Sequence, residues 1–204
     1  CINMGDEKIN KNQYQKKIQK CKQEIQMNPN NVNKYNEMGV AYANLNEFQK
    51  AISVFLKAIA IDSEHKAVLY NLANSYCELK QYQEAIPLYQ KLVEIDPEHA
   101  DAFFELGQIY GRLNNTEKAI GAYQMAIAID PGFKAAYKKL AIVYFKLKQY
   151  RKSIKMYQNA RRAGKKKVET NRGKLVSDNL SEVKNKKCRD YSIIYFMFTY
   201  SFFI

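Results

Sequence analysis

Residues 35–42 read YNEMGVAY, and the same pattern returns at 69–76 as LYNLANSY, at 103–110 as FFELGQIY and at 137–144 as YKKLAIVY. Successive copies start 34 residues apart. Each begins with an apolar or aromatic residue, places an apolar residue and then a small one in its middle, and ends on tyrosine. A fixed period of this length predicts stacked supersecondary units, because no single unit can bury its apolar face alone.

Every copy carries two helical stripes when Val32, Lys66, Ala100 and Lys134 are taken as position 1. Apolar residues at positions 4, 7, 11 and 14 have the spacing of one face of an α-helix. Isoleucine at position 21 and an aromatic residue at 24 indicate a second helix after a short polar turn. Small residues at position 8, at 20 and in most copies at 27 allow the two helices to pack closely. The sequence therefore predicts helix pairs without strands.

These positions resemble the tetratricopeptide repeat family from Val32 to about Arg162. The resemblance implies an all-α fold, an α-solenoid of stacked antiparallel helix pairs in a right-handed superhelix. The departures are few. Leu92 replaces the small residue at position 27, and Thr116 replaces the aromatic residue at position 17. Pro87 lies inside the predicted second helix of its copy, where we expect a mild bend.

The register also sets the predicted boundaries. Four near-complete repeats occupy residues 32–65, 66–99, 100–133 and 134–167. Residues 1–31 match as a partial, degenerate repeat, because Tyr14, Ile18 and Cys21 fall on stripe positions. Since the chain starts inside this copy, with Cys1 instead of methionine, we expect it to be a fragment of a longer protein.

The repeat pattern ends after residue 167. We interpret 168–190 as a basic linker or a capping helix. Residues 191–204 are apolar and aromatic and carry no charge; as a helix they would span roughly 21 Å, less than the about 30 Å of a hydrocarbon core. Three interpretations stay open for this tail: translated non-coding sequence that is not native, a truncated membrane anchor, or local packing against the array.

The net charge of +13 is concentrated in one repeat. Residues 134–167 hold 13 basic and no acidic residues, whereas 32–133 hold 8 basic and 13 acidic ones. This repeat is either a docking patch for an acidic peptide, a phosphorylated segment, RNA or an anionic membrane, or a solvated terminal face. Nucleic acid is disfavoured, because no nucleic-acid motif accompanies the charges. The candidate basic patch comprises Lys138, Lys139, Lys146, Arg151, Lys155 and Arg162.

The family resemblance also implies a binding surface. In tetratricopeptide repeats the first helices line a concave groove that binds extended peptides or partner helices, and positions 2, 5, 9, 12 and 13 point into it. Side-chain amides at such positions hydrogen-bond a peptide backbone whatever its sequence, and aromatic rings anchor apolar side chains. The groove candidates are Asn36, Asn44, Tyr70, Asn74, Phe104, Gln108, Lys138, Phe145 and Lys146.

Two subclasses of the family have residue patterns that this sequence lacks. Co-chaperones that clamp a C-terminal carboxylate need two cations at positions where Asp101 and Glu105 stand here, so we reject that clamp. The repeat arms of O-GlcNAc transferases carry asparagine at position 6 in copy after copy, whereas this chain has only Asn71. A repeat arm of a larger enzyme, such as a glycosyltransferase lost from this fragment, stays an alternative. So does a tail-anchored membrane receptor or adaptor.

No catalytic constellation was found in the sequence. His65 and His99 both occupy position 34, in equivalent turns between repeats, and the four cysteines lie far apart. We expect no enzymatic activity, no metal, no cofactor and no small-molecule substrate. Reduced thiols favour a cytoplasmic location, with a nuclear or membrane-tethered one as alternatives. The leading hypothesis is a non-enzymatic protein–protein interaction scaffold that holds a partner peptide or helix, an acidic one among the options, in its concave groove.

Overall fold

The computed structural model describes the backbone of residues 4–171 and the side chains of residues 11–163. The described residues up to Lys167 belong to one compact unit. Within residues 4–171 every regular element is an α-helix. These helices are α1 (Met4–Met27), α2 (Val32–Asn44), α3 (Phe48–Ile61), α4 (Lys66–Glu78), α5 (Tyr82–Ile95), α6 (Ala100–Arg112), α7 (Thr116–Ile129), α8 (Lys134–Lys146) and α9 (Tyr150–Asn171).

Helices α2 to α9 form four successive pairs, each with a first helix, a short turn and a second helix. The first helices are α2, α4, α6 and α8, and the second helices are α3, α5, α7 and α9. The second helices α3, α5 and α7 also pack against the first helix of the next pair, so buried apolar clusters follow one another along the array. The predicted all-α solenoid is confirmed.

Position 8 must be small because an aromatic ring from the second helix lies directly over it. Phe55 is fully buried and covers Gly39. In the third pair, a Cβ atom added to Gly107 would lie 2.6 Å from Cε1 of Tyr123. The two helices therefore approach each other more closely at these glycines than a larger side chain would permit.

The turn inside each pair contains a residue with positive φ at position 15. In the first pair, the N–H of Asn46 donates to the carbonyl of Ala43 and that of Glu47 donates to Tyr42, both at 2.9 Å. This is a Schellman motif, which satisfies the last carbonyls of the first helix. The left-handed residues are Asn46, Lys80, Asn114 and Lys148, with φ between 58° and 60°.

The two histidines cap helices. The N–H of Val68 donates to Nδ1 of His65 over 3.4 Å, and the N–H of Ala102 donates to Nδ1 of His99 over 3.2 Å. Each imidazole thus satisfies one of the N–H groups that a helix start leaves unpaired. Asn31 supplies the same cap to α2. Position 34 is therefore structural in these repeats.

The predicted partial repeat contributes one continuous helix, α1, to the described residues. Ile18 and Cys21 are 5% and 2% exposed and pack in one cluster with Met38 of α2. On the rim, Lys34 pairs with Glu24 at 3.0 Å. Helix α1 therefore covers the end of the array that α2 and α3 would otherwise expose.

The predictions for the C-terminal region fall largely outside the described residues. Of the segment 168–190, the described part extends to residue 171 and continues α9. The tail 191–204, with its three interpretations, lies beyond it. Within residues 4–171, no helix combines the length and apolarity that crossing a bilayer requires.

Candidate peptide-binding groove

Two clefts open between the first helices of the second, third and fourth pairs. The middle cleft lies between α4 and α6 and measures about 450 Å³. The end cleft lies between α6 and α8 and measures about 360 Å³. Residues that define the middle cleft are Asn74, Cys77, Glu78, Glu105, Gln108 and Arg112. Those that define the end cleft are Gln108, Arg112, Tyr123, Lys139, Ile142 and Lys146. Because Gln108 and Arg112 line both clefts, the two clefts adjoin along α6.

A hydrogen-bonded aromatic group lies beside the middle cleft. The hydroxyl of the fully buried Tyr89 donates to Oδ1 of Asn74. Tyr70 meets the Tyr89 ring edge-on at 5.9 Å and stacks on His99 at 5.2 Å. Burial raises the pKa of the Cys77 thiol to about 11, so this cysteine stays protonated at neutral pH. The group holds Asn74 in place at the cleft wall and offers no activated nucleophile.

Glu105 places a half-buried carboxylate in the middle cleft. Burial raises its pKa, the hydrogen bond from Gln108 lowers it, and the nearby charge of Asp101 raises it again. The Gln108 amide donates to Glu105 Oε2 over 2.8 Å. Among the described side chains, no cation forms an ion pair with Glu105, although Lys139 and Arg112 lie near enough to act on its pKa. A partly desolvated negative charge therefore faces this cleft.

The end cleft differs from the middle cleft in its charges. Arg112, Lys139 and Lys146 are exposed on its walls, and none of its lining residues is acidic. The lining of the middle cleft contains two acidic and two basic residues. No ion pair within the described part of the chain engages these three cations. The Arg112 guanidinium lies over the Tyr82 ring, 5.9 Å from its centroid. Ile142 adds apolar surface, so the end cleft presents cations beside an apolar wall.

The predicted groove residues divide by exposure. Six are half-buried: Asn36, Tyr70, Asn74, Phe104, Gln108 and Phe145. Three are exposed: Asn44, Lys138 and Lys146. The structure brings Asn74 and Gln108 together in the middle cleft, and Gln108 and Lys146 in the end cleft.

Two further groove candidates, Asn36 and Asn44, form hydrogen bonds within their own chain. Asn71 donates from Nδ2 to Oδ1 of Asn36 over 2.9 Å, which joins α2 to α4. Asn44 donates to the Val40 carbonyl of its own helix over 2.8 Å. The side-chain amides of Asn36 and Asn44 therefore form hydrogen bonds within the protein, whereas the sequence predicted that they would bind a ligand.

The predicted aromatic anchors also pack within the array. Phe104 lies 4.9 Å from Phe133 and 5.8 Å from Tyr123, measured between ring centroids. Phe145 meets Tyr150 edge-on at 5.5 Å. Each ring thus fills space between helices, and only its remaining surface is open to a ligand.

All six residues of the basic patch are exposed, but they belong to two helices. Lys138, Lys139 and Lys146 are on α8, where the last two line the end cleft. The other three, Arg151, Lys155 and Arg162, are on α9. The basic patch therefore has one part on α8, at the end cleft, and another part on the second helix α9.

Sequence reasoning missed one groove residue and did not select another. Arg112 stands at position 13, a groove position by the family pattern, but it was not among the selected candidates. Glu105 stands at position 6, which is not one of the groove positions that the resemblance implies. The signal that could have found Glu105 is the one-repeat offset to Lys139, whose charge acts on it. Among the side chains described, no three His, Cys, Asp or Glu residues come together in a way that could hold a metal.

Comparison with known proteins agrees with the helix-pair architecture. Family models for the tetratricopeptide repeat match residues 32–65 and 66–131. A crystal structure of MamA is 27% identical, with a TM-score of 0.73, over 83% of this chain and 99% of that chain. A second MamA structure is 25% identical, with a TM-score of 0.71, over 86% of this chain and 94% of that chain. A search of curated proteins returned no significant match.

A third solved structure shares the fold at lower identity. It is YrrB, described as a TPR protein with an unusual peptide-binding site, at 19% identity and a TM-score of 0.65. The alignment covers 77% of this chain and 81% of that chain. The repeat matches follow one another without a gap from residue 32 to 131, on the helix pairs that the structure shows. The chain belongs to the tetratricopeptide repeat family.

Proposed function

We propose that this protein is a non-enzymatic interaction scaffold that holds a peptide or partner helix in the groove along α4, α6 and α8. The observation that carries the proposal is that two clefts adjoin at Gln108 and Arg112, on successive first helices. A groove that crosses two repeat boundaries fits a linear partner better than a compact small molecule. The peptide-binding site named for YrrB supports the same use of this fold.

The groove chemistry favours an extended peptide. Asn74 and Gln108 are held by hydrogen bonds within the protein, so their polar groups are preorganised at the cleft wall. Nothing in the described residues or in the comparisons favours the alternatives, a repeat arm of a larger enzyme and a membrane-tethered receptor. Within this proposal the protein is cytoplasmic, since Cys21 and Cys77 are free thiols.

Two exposed glycines allow a matched test of the groove. Gly111 lines the end cleft, and a Cβ atom added there would approach only the Tyr123 hydroxyl, at 4.0 Å. Gly121 lies on α7, where an added Cβ would have no atom within 4 Å. Gly111→Trp therefore fills the groove, while Gly121→Trp makes the same change on a second helix.

The experiment selects peptides from a displayed library of random dodecapeptides on the full chain, and then measures their affinity by fluorescence anisotropy. We expect Gly111→Trp to raise the Kd about tenfold or more, equivalent to about 1.4 kcal/mol, and Gly121→Trp to leave it unchanged. Thermal melts of both variants check that each is folded. Equal affinity for the two variants, or a library from which no peptide is enriched, would refute the proposed function.

A further inference from the structure

We infer that the groove selects a bipolar peptide, with a basic side chain against Glu105 in the middle cleft and an acidic side chain among the cations of the end cleft. This inference rests on the proposed function. It adds the chemistry of the partner and its register along the groove.

The end cleft supplies the anion-binding half. Its cations Lys139 and Lys146 come from α8, and no acidic residue lines the cleft. Arg112 of α6 also borders it, but the Arg112 guanidinium lies over Tyr82, a residue of the middle cleft. A carboxylate placed among them gains charge-assisted hydrogen bonds. Ile142 and Tyr123 on the wall exclude water from one side and so strengthen these interactions.

Glu105 supplies the cation-binding half. Its carboxylate is half-buried and lies near a second acid, Asp101, yet no described cation pairs with it. Lys80 and Arg112 also line the middle cleft, where the Arg112 guanidinium lies over the ring of Tyr82, but neither cation forms an ion pair with Glu105. A ligand ammonium or guanidinium would therefore meet a partly desolvated carboxylate that has no ionic partner.

The spacing of the two halves predicts a peptide pattern. Glu105 and Lys139 both occupy position 6, one repeat apart, and their charges interact. Packed helix axes lie about 8–10 Å apart, and an extended peptide advances about 3.3 Å per residue. We therefore expect the basic and acidic residues of the ligand to be about three positions apart.

The same arrangement discriminates against purely acidic partners. A run of acids that filled the end cleft would bring a further carboxylate against Asp101 and Glu105 in the preceding repeat. Like charges at such a distance repel, and the burial of Glu105 increases the effect. The groove therefore accepts one acidic side chain in a defined place and rejects an acidic tract.

The test uses the random dodecapeptide library on the full chain and three variants, with the selected pools sequenced. The wild type should enrich peptides with a basic and an acidic residue about three positions apart. Glu105→Gln should lose the basic preference and keep the acidic one. The double variant Lys139→Gln/Lys146→Gln should lose only the acidic preference. Arg151→Gln/Lys155→Gln removes the same charge from exposed sites on α9 and should change neither preference.

The outcomes that would overturn the bipolar pattern differ from those that would overturn the proposed function. Enriched peptides that are uncharged, purely acidic or purely basic would overturn the bipolar pattern while leaving a groove that Gly111→Trp still blocks. Loss of the acidic preference in the α9 variant would also overturn it, because the anion would then bind outside the groove. If no pool is enriched, or if Gly111→Trp binds as well as Gly121→Trp, it is the proposed function that fails.

Discussion

At position 8 of each repeat, the size of one side chain decides how closely two helices approach. Gly39 and Gly107 lie under the rings of Phe55 and Tyr123, whereas Ala73 occupies the same position in the second pair and is fully buried. Position 8 is therefore glycine in two repeats and alanine in the others. In the two repeats with glycine, the aromatic ring lies within 3 Å of the place that a Cβ atom would take.

We expect Gly107→Ala to destabilise the protein by about 1–3 kcal/mol, because the new methyl group would force the Tyr123 ring or its helix to move. Gly121→Ala is the control, since it adds the same methyl group where no atom lies within 4 Å. It should stabilise the helix by about 0.5–1 kcal/mol. Urea unfolding of both variants measures the difference. If Gly107→Ala instead stabilised the protein, the Tyr123 ring would have room for the added methyl group, and this explanation of the glycine would be wrong.

At the scale of the helix pair, the turn is built around one residue in the left-handed region. Two repeats use asparagine there, which tolerates this conformation, and two use lysine, which tolerates it poorly. None uses glycine, the residue for which a positive φ costs least. The turns after α4 and α8 therefore carry backbone strain that the turns after α2 and α6 largely avoid.

Replacement of the strained lysines should stabilise the protein. We expect Lys80→Gly and Lys148→Gly each to raise the free energy of unfolding by about 1 kcal/mol, since glycine removes the Cβ clash of the left-handed conformation. Asn46→Gly makes the matched change at a turn that already tolerates positive φ, and its effect should be smaller. The measurement is the denaturant midpoint of unfolding for each of the three variants, compared with that of the wild type. A larger gain at Asn46 than at the lysines would contradict this account.

At the scale of the whole molecule, charge is distributed unevenly along the array. All 13 charged residues of segment 134–167 are basic, while the three preceding repeats together are acidic. Lys139 and Lys146 carry part of this charge into the end cleft. A long-range field of this kind steers an oppositely charged ligand and is screened by salt.

Binding of a selected acidic-residue peptide should weaken as salt rises from about 0.01 M to about 0.15 M, where the Debye length falls from about 30 Å to about 8 Å. The measurement is the slope of log Kd against log salt concentration. Lys139→Gln/Lys146→Gln should flatten the slope, and Arg151→Gln/Lys155→Gln should flatten it less, because its charges lie outside the groove. An affinity of the wild type that does not change with salt would rule out the electrostatic contribution.

Most of the fold could be predicted from the repeat, because the signals are local. The stripe spacing, the small residues at position 8 and the aromatic residue at 24 recur at a fixed interval, and each acts within one helix pair. Prediction was weaker at the site. Tyr70 and Phe104 were expected to anchor a ligand, yet their rings also pack on His99 and Phe133, which are about 29 residues further along the chain, at the ends of the same repeats.

The sequence by itself determined that this chain is an array of helix pairs, where each helix lies and which repeat holds the net charge. Only the tertiary structure decided which groove side chains form contacts within the protein and which are open to a ligand. It also decided that Glu105 lies near Lys139, and that Arg112 lines two clefts, of which only the middle one has acidic residues in its lining. The physical reason is that helices follow from contacts a few residues apart, whereas a cleft is made by side chains that meet one repeat apart.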